Sequence, residues 1–140
     1  MPLSCSSALI CCMDFRLTSA LHAWMEKEGI MDDCDVISVA GISKAIAEDK
    51  ESNDAKFILK QIELSSKLHD IKTLYLIHHT DCGAYGGHNA FQSIDTEKQT
   101  YIHDMEKVKK VIHESFSGLK IRCILAEMHS PENIQFVSLN

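Results

Sequence analysis

The chain has 140 residues, 45% apolar and 24% charged, the proportions of an ordinary globular protein able to bury its own core. Fourteen Lys and Arg against twenty Asp and Glu leave a net charge of −6, which argues against nucleic acid or an anionic membrane as the main partner. No apolar run approaches the roughly 20 residues of a membrane span, and the opening segment lacks the basic stretch of a signal peptide, so the expectation is a cytoplasmic protein with six reduced cysteines.

In chain order, Ser7–Met13 is a continuous apolar run, the pattern of a strand covered on both faces. Leu21, Trp24, Met25 and Glu28 follow helical spacing over 18–28, with Thr18 or Ser19 as the cap and Gly29 as the stop. Asp35–Ala40 reads as a second strand. Ala55, Ile58, Leu59 and Ile62 mark a helix running to about His69. Thr73–His78 is a third buried strand, followed by a glycine-rich loop. Ile102, Met105, Val108, Ile112 and Phe116 trace a long helix ending near Gly118. Lys120–Glu127 is a fourth strand, and Ile134–Leu139 reads as a short edge strand or a tail.

Strands separated by helices predict an α/β domain over 1–140, three-layer αβα, with a central, mainly parallel sheet of four to five strands. Ligands of such sheets bind beyond the carboxyl ends of the strands. Two clusters fall there. Cys12, Asp14 and Arg16 leave the first strand, sharing one side of an extended chain while Cys11, Met13 and Phe15 share the other. His79 and Cys82 leave the third strand. Two thiolates, an imidazole and a carboxylate are suitable ligands for tetrahedral zinc.

His78 faces away from His79 and is a core or interface histidine. His22, His69, His103 and His113 lie on presumed helices and face solvent, and Cys5, Cys11, Cys34 and Cys123 are small buried hydrophobes. Asp81 either orients a neighbour or caps the following turn, and His88 is a loop residue or a pocket group. A Cys-x5-Arg phosphate loop fails because position 10 is Ile10, and a thioredoxin-like site fails because no Cys-x-x-Cys occurs.

Cys-x-Asp-x-Arg at Cys12, Asp14 and Arg16, followed by His-Thr-Asp-Cys-Gly at His79–Gly83, resembles the beta-class carbonic anhydrases, and the match runs in order along most of the chain. The resemblance implies Cys12, His79 and Cys82 as zinc ligands, with Asp14 either closing the tetrahedron as fourth ligand or, held by Arg16, orienting the zinc-bound water. It implies reversible hydration of carbon dioxide to bicarbonate and a proton through zinc-bound hydroxide, and a homodimer or dimer of dimers. Ala40, Gly41 and Gly83, with His88 as a further candidate, are assigned to the substrate pocket. After strand two the sequence keeps the Ala-Gly of the family and lacks its flanking Arg and Asn. Two alternatives therefore stand beside carbon dioxide: hydrolysis of carbonyl sulfide or carbon disulfide on the same zinc, and a non-catalytic zinc-stabilised domain in which Asp14 permanently closes the site.

Overall fold

The computed structural model describes residues 3–139. Its order is β1 (Ser7–Cys11), α1 (Thr18–Glu28), β2 (Cys34–Ser38), α2 (Lys44–Glu48), α3 (Asn53–His69), β3 (Thr73–His79), α4 (Ile94–Ser115), β4 (Lys120–Ser130) and β5 (Asn133–Ser138). Short 3-10 turns at Phe15–Leu17, Gly83–Tyr85 and His88–Ala90 fill the loops after β1 and β3. The five strands form one sheet in the order β2-β1-β3-β4-β5, parallel except for β5, which runs antiparallel to β4.

The alternation of side chains along β1 explains the three layers. Ala8, Ile10 and Cys12 enter one core with Ala55, Ile58 and Ile62 of α3 and Tyr101, Met105, Val108 and Ile112 of α4. Leu9 and Cys11 enter the other, under Leu21, Trp24 and Met25 of α1. There Trp24 meets Tyr75 edge-on at 5.2 Å and stacks on Phe136 at 5.6 Å. Every residue of β1 is buried because β1 pairs on both edges and packs on both faces.

Several expected boundaries move. Strand β1 stops at Cys11, where the chain bends into the 3-10 turn. Neither Thr18 nor Ser19 caps α1: residue 17 occupies that position without a side-chain bond, and Asp14 caps the preceding turn instead. Gly29 ends α1 in the left-handed conformation, as expected. β2 is an edge strand of alternating exposure, displaced to Cys34–Ser38. Ser52 and Ser93 accept from the amides of Ala55 and Thr96 and start α3 and α4, so α4 begins eight residues before Ile102. Residues 133–138 are an edge strand, not a tail. Among the described residues no helix is long and apolar enough to cross a membrane.

The chain runs from β1 out to β2, then crosses back over β1 to β3. The two crossovers run in opposite directions along the sheet and place α1 on one face and α2 and α3 on the other. They also make the carboxyl ends of β1 and β3 neighbours at the point where the winding reverses, with Cys11 opposite Ile77.

Leu74, fully buried in β3, should cost about 2–5 kcal/mol when cut to Ala, whereas Leu68→Ala on the exposed face of α3 should stay within about 0.5 kcal/mol. Urea unfolding of the two variants reads the difference directly.

Candidate metal centre

At that reversal point Cys12, one residue past β1, meets His79, the last residue of β3, and Cys82, three residues on. One donor atom from each lies within 4.8 Å of the other two, and all three residues are buried. Local hydrogen bonds prepare each donor. The Nδ1 of His79 lies 2.7 Å from the Thr80 carbonyl, which requires the proton on that nitrogen and leaves the Nε2 lone pair facing the thiols. That Nε2 is buried and, among the described residues, has no hydrogen-bond partner. The amides of Gly41 and Asp14 donate to the Cys12 sulfur, and those of Ala84 and Tyr85 to the Cys82 sulfur.

The Cys82 thiol beside it, with the backbone amides, drives Cys12 below the ordinary thiol range, while the same contact and burial drive Cys82 above it. A soft anionic pair beside an unpaired imidazole nitrogen is the donor set that fits a borderline-soft divalent cation such as zinc. Cys12, His79 and Cys82 could therefore hold one.

Asp14 and Arg16 are brought to this centre by the 3-10 turn rather than by continued strand alternation. The Asp14 carboxylate accepts from the Arg16 amide at 2.9 Å and thereby caps the turn. The guanidinium grips both carboxylate oxygens, Nε to Oδ1 at 3.0 Å and Nη2 to Oδ2 at 2.7 Å. This clamp holds the Asp14 pKa down to about 2. The stability it confers is present above the ordinary carboxyl pKa and is lost as pH falls through about 2. Asp14 Oδ2 lies 3.9 Å from His79 Nε2, at the edge of the donor cluster.

Arg16 also reaches across the loops. Its Nη1 donates to Asp81 Oδ2 at 2.9 Å and its Nη2 to the Asp81 carbonyl at 3.0 Å. Asp81 sits in the left-handed region (φ 58°), and its other oxygen accepts from the His88 amide at 2.9 Å. It thus does both things the sequence left open, orienting Arg16 and closing the following turn. Gly41 (φ 62°) is fixed by close approach, because a Cβ there would lie 2.6 Å from that of Ala84. Of the residues assigned to a pocket, Gly41 is buried against the Gly83–Tyr85 turn, Ala40 and Gly83 are exposed, and His88 stands beyond Asp81.

Sequence reasoning passed over Glu97. This carboxylate is fully buried on α4, accepting from the Asp81 amide at 2.9 Å and the Tyr101 hydroxyl at 3.0 Å, with His88 Nδ1 at 2.6 Å. The Tyr101 oxygen in turn accepts from the Cys82 amide at 3.3 Å. The 81–82 backbone is therefore anchored to α4 through Glu97 and Tyr101, and the only hint was an acidic residue one helical turn before a tyrosine. His78 is a core residue, stacked on Tyr101 at 4.2 Å, and burial pushes its pKa down to about 4. His22, His103 and His113 are exposed as expected. His69 instead pairs with Asp35 at 2.7 Å, and Cys5 and Cys34 are only half-buried.

A family model described as "Putative carbonic anhydrase" matches residues 4–135. A protein of Rickettsia bellii, described only as uncharacterized, is 37% identical over 123 residues, 86% of this chain and 75% of its own. An uncharacterized protein of Rickettsia conorii is 35% identical over the same length, and there the chain spans 66% of the relative. The beta-carbonic anhydrase CafD of Aspergillus fumigatus shares the fold with a TM-score of 0.61, over 98% of this chain and 90% of that one, at 9% identity. The chain belongs to this carbonic anhydrase family and is a divergent member with the beta-class fold.

Glu97→Ala leaves the Asp81 amide and the Tyr101 hydroxyl unpaired in the interior, a loss of about 1–3 kcal/mol for each group that finds no water. The expected result is faster hydrogen exchange at Asp81 and Cys82, with the amides of β1 still protected.

Proposed function

We propose that the chain is a zinc-dependent carbonic anhydrase that interconverts carbon dioxide with bicarbonate and a proton. The observation that carries this reading is the convergence of two cysteines and an unpaired imidazole nitrogen beside a carboxylate clamped by arginine. Zinc, when bound by Cys12, His79 and Cys82, supplies a Lewis acid that brings the pKa of a water to about 7.

The chain's own residues supply the rest. Asp14, kept ionised by Arg16, is an acceptor only, so it orients a donor hydroxyl or water at the centre. Its second role, as a ligand that closes the site, would have to compete with the guanidinium, which holds both of its oxygens. That engagement favours the open arrangement over a permanently closed structural site. Arg16 joins the two loops, since the same guanidinium binds Asp14 after β1 and Asp81 after β3. Ala40, Gly41 and Gly83 would border the substrate. Met13 and Phe15, 67% and 84% exposed on either side of Asp14, form an apolar rim that supports a homodimer with the site near its interface.

Cys12→Ser and His79→Ala are expected to lose both zinc and turnover, while Asp14→Ala keeps one zinc per chain and loses at least tenfold in turnover. Metal analysis paired with stopped-flow hydration measures both. Full activity in a zinc-free Cys12→Ser protein overturns the reading. Turnover of carbonyl sulfide or carbon disulfide with none of carbon dioxide would transfer the same residues to the sulfur substrates.

A further inference from the structure

At the opposite end of the sheet a second group of donors meets. Cys5 precedes β1, Asp35 is the second residue of β2, and His69 is the last residue of α3. One donor atom from each lies within 4.8 Å of the other two, and all three side chains are half-buried. The backbone fixes this meeting: the Cys5 amide donates to the His69 carbonyl at 3.0 Å, and Asp70, left-handed at φ 53°, turns the chain out of α3. The Asp35 carboxylate accepts from the Ser65 hydroxyl at 2.6 Å and lies 2.7 Å from His69 Nδ1. A surface cleft of about 280 Å³ reaches Asp35 and His69.

Cysteine, histidine and aspartate together suggest two chemistries. Nucleophilic catalysis needs the imidazole to bridge carboxylate and thiol, and it needs a thiol inclined to ionise. Here the Cys5 thiol donates to the Ser7 carbonyl at 3.3 Å, and burial and the Asp35 carboxylate push its pKa up. Both features count against a nucleophile. A divalent cation changes the balance, because it neutralises thiolate and carboxylate together and removes the reason for the thiol to keep its proton. The hydroxyl of Ser65 then serves as the outer hydrogen bond that aims the carboxylate.

We propose that Cys5, Asp35 and His69 form a second metal site, which takes a borderline-soft divalent cation such as zinc or cobalt(II) and leaves a position to water. On binding, the Cys5 S–H bond gives way to a sulfur–metal bond and its proton goes to solvent, while the hydrogen bond between His69 Nδ1 and Asp35 opens and the ring proton moves to Nε2, which frees Nδ1 and the carboxylate as ligands. The site ties the segment before β1, the edge strand β2 and the end of α3. It is independent of the centre at Cys12, His79 and Cys82.

Cobalt(II) titration of the full chain tests this through its thiolate charge-transfer absorption and its stoichiometry. The wild-type chain should bind two equivalents, and Cys5→Ser and His69→Gln should each bind one. Cys82→Ser should lose the other equivalent and keep this one. Asp35→Asn should weaken the second site at least tenfold, and Cys5→Ser should leave hydration activity unchanged. If only one equivalent binds and Cys5→Ser removes it, the second site stands and the first fails. A stoichiometry that neither Cys5→Ser nor His69→Gln alters overturns the proposal. His69 is partly exposed, so its variant keeps the test open if Cys5→Ser does not fold.

Discussion

The parallel pairing of β1 with β3 is the constraint on which the site depends. The two strands are remote in sequence, yet their residues are matched from Ser7 with Thr73 to Cys11 with Ile77. Both are buried on both faces, so a register slip would turn each strand's apolar set to the wrong core. Once that register is fixed, Cys12 and His79 leave adjacent strand ends, and no loop has to search for its partner. The cores above and below the sheet therefore set the donor spacing with the same contacts that stabilise the fold.

The charged groups add the finer positioning. Arg16 is shared between Asp14 and Asp81, so one guanidinium holds the loop after β1 against the loop after β3. Glu97 and Tyr101 perform the matching task from α4, receiving the amides of Asp81 and Cys82. Asp81 is left-handed and would be strained alone, but it is held at three points: its amide, its carbonyl and its carboxylate. The three candidate donors thus rest on an electrostatic frame that spans three elements.

Much of this was legible in the residues. The apolar runs of β1, β3 and β4 announced buried parallel strands, and Gly29 announced the end of α1. The chemistry-bearing clusters stood out because they follow those strands directly. The rest was hidden for identifiable reasons. β2 is half-exposed, so its pattern was weak, and α2 has five residues, too few for a period to emerge. Glu97 looks like any acidic residue in a first helical turn until the fold buries it. Cys5, Asp35 and His69 are separated by 30 and 34 residues and share no motif, so only the folded sheet brings them together.

The central claim is that one cation sits between the ends of β1 and β3 on two sulfurs and an imidazole. X-ray absorption at the zinc edge tests it most directly, on Cys5→Ser protein carrying one equivalent of zinc. The account predicts two sulfurs at about 2.3 Å, one imidazole nitrogen at about 2.0–2.1 Å and one further light-atom ligand. A zinc with fewer than two sulfurs, or a protein that retains none, would contradict it.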